Sequence, residues 1–156
     1  MTHVERAPAK INLSLRVLSR REDGFHEVET LMVALSGIED LISFDLVEGT
    51  AGVQLACDDP TLPVGEDNLI MRALRLFCTR AGKEFCGEIA LEKRIPSGAG
   101  LGGGSSDAAA ALRALNEISG SGLALTDLRA IAGEIGADVA FFIGPEPSWC
   151  RGKGEV

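Results

Sequence analysis

The chain has 156 residues, 46% of them hydrophobic, which is enough for one buried core and excludes a disordered or fibrous polymer. Its formal charge of -8 excludes a broad nucleic-acid footprint, because polyanion binding draws on clustered Lys and Arg. No apolar stretch approaches the ~20 residues that cross a bilayer, and the N-terminus lacks a basic segment followed by an apolar one, so a cytoplasmic protein without membrane association is expected.

A first strand is expected where Ile11, Leu13, Leu15 and Val17 alternate with Lys10, Asn12, Ser14 and Arg16. The apolar set should be buried, and Lys10, opening the strand, should share the other face with Asn12. After a loop over residues 19–24, residues 25–35, 41–47 and 53–57 read as three further strands. Pro60 and Pro63 mark a loop. Residues 67–78 then read as a helix with Ile70, Ala73, Leu74 and Phe77 on its apolar side and Gly82 at its end. Next, Ile89, Leu91, Lys93 and Ile95 alternate with charged neighbours in a strand that leads into a glycine-rich loop. A helix is expected from about residue 105 to 118, a second capped by Thr126 and Asp127 and reaching Ile135, and a short apolar run over 139–143. The four cysteines form no C-x-x-C pair and only two histidines could complete a metal site, so reduced structural thiols are expected.

The loop Pro96-Ser97-Gly98-Ala99-Gly100-Leu101-Gly102-Gly103-Gly104-Ser105-Ser106-Asp107 carries the strongest functional signal. Five glycines within seven residues leave the backbone N–H groups open to a ligand and permit the left-handed conformations that aim them inward. The helix that follows adds unpaired N–H groups and the positive end of its dipole, so the segment suits phosphate. Gly98, Gly100 and Gly103 formally meet the dinucleotide pattern G-x-G-x-x-G, but the preceding strand is half polar, whereas a Rossmann first strand is buried on both faces. No Lys follows the glycines before Lys153, which excludes a Walker loop, and the H-R-D and D-F-G motifs of protein kinases are missing.

The segment from Pro96 to Ala109 resembles the second motif of the GHMP small-molecule kinases. Four other segments are similar to motifs of the same family: Ala7-Pro8-Ala9-Lys10-Ile11-Asn12, Arg21-Glu22-Asp23-Gly24-Phe25-His26, Asp67-Asn68-Leu69-Ile70 and Gly136-Ala137-Asp138-Val139. The resemblance implies an α/β (α+β) two-layer domain, ribosomal protein S5 domain 2-like, over residues 1–156. It also implies an ATP-binding N-terminal half whose C-terminal GHMP domain would follow. Phe25 stands where many members have Tyr, and Ala140 where the family usually has Pro.

The roles that the resemblance implies are specific. Asp138 would take the proton of an acceptor alcohol, and Lys10 would pair with it. Asn68, Pro96, Gly98, Gly100, Leu101, Gly102, Gly103, Gly104, Ser105 and Ser106 would hold ATP, with Ser106 as the candidate ligand of its Mg2+. Asn12, Phe25 and His26 would hold a cytidine diphosphate substrate, the aromatic ring stacking on cytosine. Each role has a plainer competitor: edge lysine, turn aspartate, helix N-cap at Asn68, helix capping by Ser105 and Ser106, and a first-turn carboxylate at Asp107. A nucleotide-binding module without catalysis, or a GHMP kinase acting on mevalonate or homoserine, remain the alternatives.

Overall fold

The computed structural model describes residues 2–20, 26–144 and 146–150. Strand β1 spans His3–Arg20, β2 His26–Glu48 and β3 Gly52–Cys57. Helix α1 covers Leu69–Ala81, β4 Phe85–Glu92, α2 Gly103–Ile118, α3 Leu125–Ile135, α4 Ala137–Ile143 and β5 Ser148–Cys150. The sheet runs β1-β2-β4-β3, with β5 on the free side of β2's first half. Pairing is antiparallel except between β3 and β4, whose parallel alignment uses α1 as the crossover.

Two expected strands, over 25–35 and 41–47, are one 23-residue strand. Gly37 and its neighbours read as a break in the sequence. In the structure, residues 35–38 of β2 lie opposite Ala9 alone, and Gly37 takes a φ of 87° there. At the same point on β1, the N–H of Lys10 donates to the carbonyl of Leu101 in the glycine loop at 2.9 Å. Lys10 therefore sits mid-strand, not at its opening.

The burial expected for β1 fails at three positions. Leu13 and Val17 are each 60% exposed, whereas Lys10 is only 7% exposed. Lys10 and Asn12 do share a face, as their alternation implies, but Lys10 is buried there against Gly102 while Asn12 stays exposed. The apolar residues Ile11 and Leu13 take what is left. A register shift between Asn12 and Ser14 isolates Leu13 further.

The core lies between the sheet and the helices. Ile42, Phe44 and Leu46 of β2, Ile89 and Leu91 of β4 and Leu55 of β3 meet Ile70, Ala73 and Phe77 of α1 and the length of α2. Helix α2 is central, since it packs on α1, α4, β1 and β2. Its Ala108, Ala109, Ala110 and Ala111 are all fully buried, the all-round burial expected of a helix surrounded by its own domain. The small side chains let neighbours approach without losing rotamer freedom.

Helix ends follow local chemistry. Asn68 caps α1, accepting from the Ile70 N–H, and Gly82 ends it at φ 64°. The cap expected from Thr126 and Asp127 is not formed; both lie inside α3, and Ala124 holds the cap position without a side-chain bond. Strand β4 stops at Glu92, so Lys93 and Ile95 lie just beyond it. All four cysteines are unpaired.

Truncating Leu112, fully buried at the centre of α2, should cost about 2–5 kcal/mol. Thermal unfolding of Leu112→Ala should show a midpoint lowered by roughly 5–15 °C at this chain length.

Candidate active site

The glycine loop closes over one end of the two-layer core. Gly98, Gly100 and Gly102 have φ of 74°, 75° and 72°, the left-handed region that other residues enter at a cost of about 1–2 kcal/mol. Around Gly98 and Gly100 the space is open. At Gly102 it is not: a Cβ would lie 3.1 Å from Lys10 Cγ and from Phe142 Cε2. A Cβ on Gly103 would lie 3.1 Å from Ile95 Cγ2 and 3.2 Å from Lys93 Nζ. These two glycines are needed because the backbone runs directly against the side chains that line the site.

Helix α2 starts at Gly103, and its first intrahelical N–H bond is from Ser106 to the Gly102 carbonyl at 2.9 Å. The N–H groups of Gly103, Gly104 and Ser105 are thus free of helical partners at the positive end of the dipole. No side chain caps this end, so Ser105 and Ser106 do not take the capping role that competes with ligand binding. Ser106 is fully buried, and its Oγ has no hydrogen-bond partner among the described residues. A buried hydroxyl left unsatisfied is costly, and its lone pairs suit a cation or its bound water.

Beside the loop is a cavity of about 290 Å³. Its walls include Leu62, Asn68, Leu69, Leu91, Lys93 and Pro96, together with Gly98 to Gly104 and Asp107. Asn68 lies on this wall while capping α1, and its amide also donates to the Pro63 carbonyl at 2.8 Å. The capping and cavity roles therefore coexist.

Lys93, Asp40 and Asp107 form a buried cluster at the cavity floor that periodicity had not singled out. Lys93 Nζ donates to Asp40 Oδ2 and, at 2.9 Å, to Asp107 Oδ2. Asp40 is wholly buried, and its Oδ1 accepts the N–H groups of Arg94 at 2.5 Å and Ile95 at 2.8 Å. The signal was present, because Lys93 occupies the inward phase of Ile89, Leu91 and Ile95. Asp107 is not the first-turn carboxylate its position suggested; it lies one turn into α2 and is 3% exposed. Burial raises its pKa to about 7, against the attraction of Lys93 and with repulsion from Asp40 added. For Lys93, burial pulls downward, but the two carboxylates outweigh it and its pKa is raised.

On the other side of the loop, Lys10 Nζ lies 3.3 Å from Asp138 Oδ2 and donates to Asn12 Oδ1 at 2.7 Å. Asp138 belongs to the first turn of α4, where the helix dipole favours its charge, and its side chain is 36% exposed. Neither the edge-lysine nor the turn-aspartate reading describes this pair. Cys150 is buried nearby; loss of hydration and the Asp138 charge push its thiol pKa up, with Lys10 opposing. Phe25 lies outside the described residues, as does the side chain of His26, whose backbone opens β2 opposite Arg20. The single cluster with metal-ligand spacing among the described residues, His3, Glu5 and Glu117, contains no loop residue.

A two-layer α/β domain thus sets a glycine loop with unpaired helix N–H groups against a Lys–Asp pair. Residues 68–144 match the family GHMP kinases N terminal domain, and the chain belongs to the GHMP kinases. It is 48% identical over 149 residues, 96% of its length, to the 4-diphosphocytidyl-2-C-methyl-D-erythritol kinase of Syntrophotalea carbinolica. It is 43% identical to the chloroplastic enzyme of that name from Mentha piperita, again over 96% of its length. A crystal structure of 4-(cytidine 5'-diphospho)-2C-methyl-D-erythritol kinase superposes with a TM-score of 0.77 at 42% identity, over 99% of this chain and 53% of that one. The chain spans 52% of the bacterial relative and 37% of the plant relative.

Gly98→Ala should cost only the left-handed backbone, about 1–2 kcal/mol, whereas Gly102→Ala should cost more because its methyl also meets Lys10 and Phe142. Paired thermal-unfolding curves measure the difference. The raised pKa of Asp107 has a definite sign. Between 3.8 and about 7 the unfolded chain releases a proton that the folded chain keeps, so this group's contribution falls as pH rises through that window. The melting temperature of Asp107→Asn minus that of the unchanged protein should therefore climb from pH 4 to pH 7 and level off above; a flat difference would contradict the shift.

Proposed function

We propose that the protein containing this chain is an ATP-dependent kinase for the 2-hydroxyl of 4-diphosphocytidyl-2-C-methyl-D-erythritol, acting in isoprenoid precursor synthesis. The observation that carries this reading is contact between two sites. Gly102 of the phosphate loop packs on the Lys10 stem, and the Lys10 ammonium is 3.3 Å from Asp138, so phosphate donor and proton acceptor share one wall. The names of relatives 41–49% identical supply the acceptor.

In this reading the N–H groups of Gly103, Gly104 and Ser105 take the triphosphate oxygens, and the cavity lined by Asn68, Lys93 and Pro96 takes the nucleoside. Asp138 accepts the proton of the alcohol as its oxygen attacks phosphorus, and the Lys10 ammonium stabilises the oxygen's growing charge. Asn12, Phe25 and His26 hold the cytidine diphosphate part. The partnerless Ser106 Oγ fits a ligand to magnesium, which when bound offsets the triphosphate charge.

Coupled measurement of ADP release with this substrate tests the proposal. Asp138→Asn should lower kcat roughly 10²–10⁴-fold, the range for removing a general base, while calorimetric ATP affinity stays within about twofold. ATP binding without turnover in the unchanged protein would replace the kinase by a nucleotide-binding module.

A further inference from the structure

Asn12 is held on both sides. Its Oδ1 accepts from Lys10 Nζ at 2.7 Å, and its Nδ2 donates to Thr30 Oγ1 at 2.7 Å. The Thr30 hydroxyl in turn donates to the Ser14 carbonyl at 2.7 Å. Thr30 is 3% exposed, in the stretch of β2 flanked by β1 on one side and β5 on the other, where its register partners are Leu15 and Cys150.

The chemistry of the two ends fixes the direction of this chain. A carbonyl can only accept, so the Thr30 O–H must donate to Ser14, which leaves the hydroxyl's lone pairs as the acceptor for Asn12. The Asn12 amide must then offer Nδ2 to Thr30 and Oδ1 to Lys10. An ammonium can only donate, so the far end agrees with the near end. Reversing the amide would set an N–H against the Lys10 ammonium and a carbonyl oxygen against a hydroxyl whose proton is already committed. Among the described residues two groups hold Lys10 Nζ, Asn12 and Asp138.

We propose that Thr30 is a positioning residue for phosphoryl transfer: through the amide orientation of Asn12 it fixes where the Lys10 ammonium stands relative to Asp138. The proposal rests on the kinase reading of Lys10 and Asp138. Thr30 is buried and its hydroxyl meets Asn12, so its effect on the reaction is routed through Asn12. A β-branched residue suits β2 for its own sake, but Val would serve that purpose as well and would remove both hydrogen bonds.

Thr30→Val and Thr30→Ser, each alone and in an Asn12→Ala background, are assayed in the full polypeptide. Thr30→Val should lower kcat by tenfold or more with KM for ATP within twofold of the unchanged protein, and Thr30→Ser, which keeps the hydroxyl, should restore kcat to within threefold. In the Asn12→Ala background Thr30→Val should have little further effect, because the path through Asn12 is already cut. Hydrogen exchange of the Asn12 side-chain amide, followed by NMR, should be slow in the unchanged protein and in Thr30→Ser and at least tenfold faster in Thr30→Val. Undiminished kcat in Thr30→Val, effects of Thr30→Val and Asn12→Ala that multiply, or unchanged exchange overturns the proposal. If the unchanged protein transfers no phosphoryl group, the kinase reading fails, and amide exchange alone decides whether Thr30 orients Asn12.

Discussion

The site depends on how closely two backbones approach one another. The Lys10 N–H reaches the Leu101 carbonyl, and the next residue of the loop, Gly102, comes so near the Lys10 stem that a single methyl would be crowded. The contact lies where regular pairing of β1 with β2 is interrupted and Ala9 stands opposite four residues of β2. It also seats the start of α2 beside the Lys–Asp pair. A glycine loop and a Lys–Asp pair are common separately; here one backbone hydrogen bond and one missing side chain join them.

Behind that contact the fold is made rigid by size and by charge. The alanines of α2 let it run through the middle of the domain with neighbours on several sides, so the position of its N-terminus follows from packing of the whole core. The charged cluster of Asp40, Lys93 and Asp107 works differently. Burying these groups is expensive, and the hydrogen bonds among them offset much of the cost only while the three remain together. With Asp107 near the middle of its titration around pH 7, the cluster is closer to neutral than its formal charges suggest.

Much of this was legible in the sequence, for reasons that also explain what was not. The glycine loop, the helix after it, the Asn68 cap and the Gly82 stop are local signals, and local chemistry determined them. Lys10, Asn12 and Asp138 were nominated by motif and are brought together by the fold. The burial of β1 is not legible because an alternating strand is normally read with its apolar face inward, and here Lys10 is buried against the loop while Leu13 and Val17 are exposed. The single long β2 was hidden by Gly37, whose turn-like character serves a bulge. Lys93, Asp40 and Thr30 were passed over because a buried ion pair or relay is made by residues distant in sequence; only the inward phase of Lys93 hinted at it.

Asp40 has one more consequence, for motion. By gathering the N–H groups of Arg94 and Ile95 and the ammonium of Lys93, it nails down the chain immediately before Pro96. Helix α2 nails it down again from Gly103. Any breathing of the glycine loop is confined to the few residues between two fixed posts, so the entropy lost on ordering it is that of a short tether.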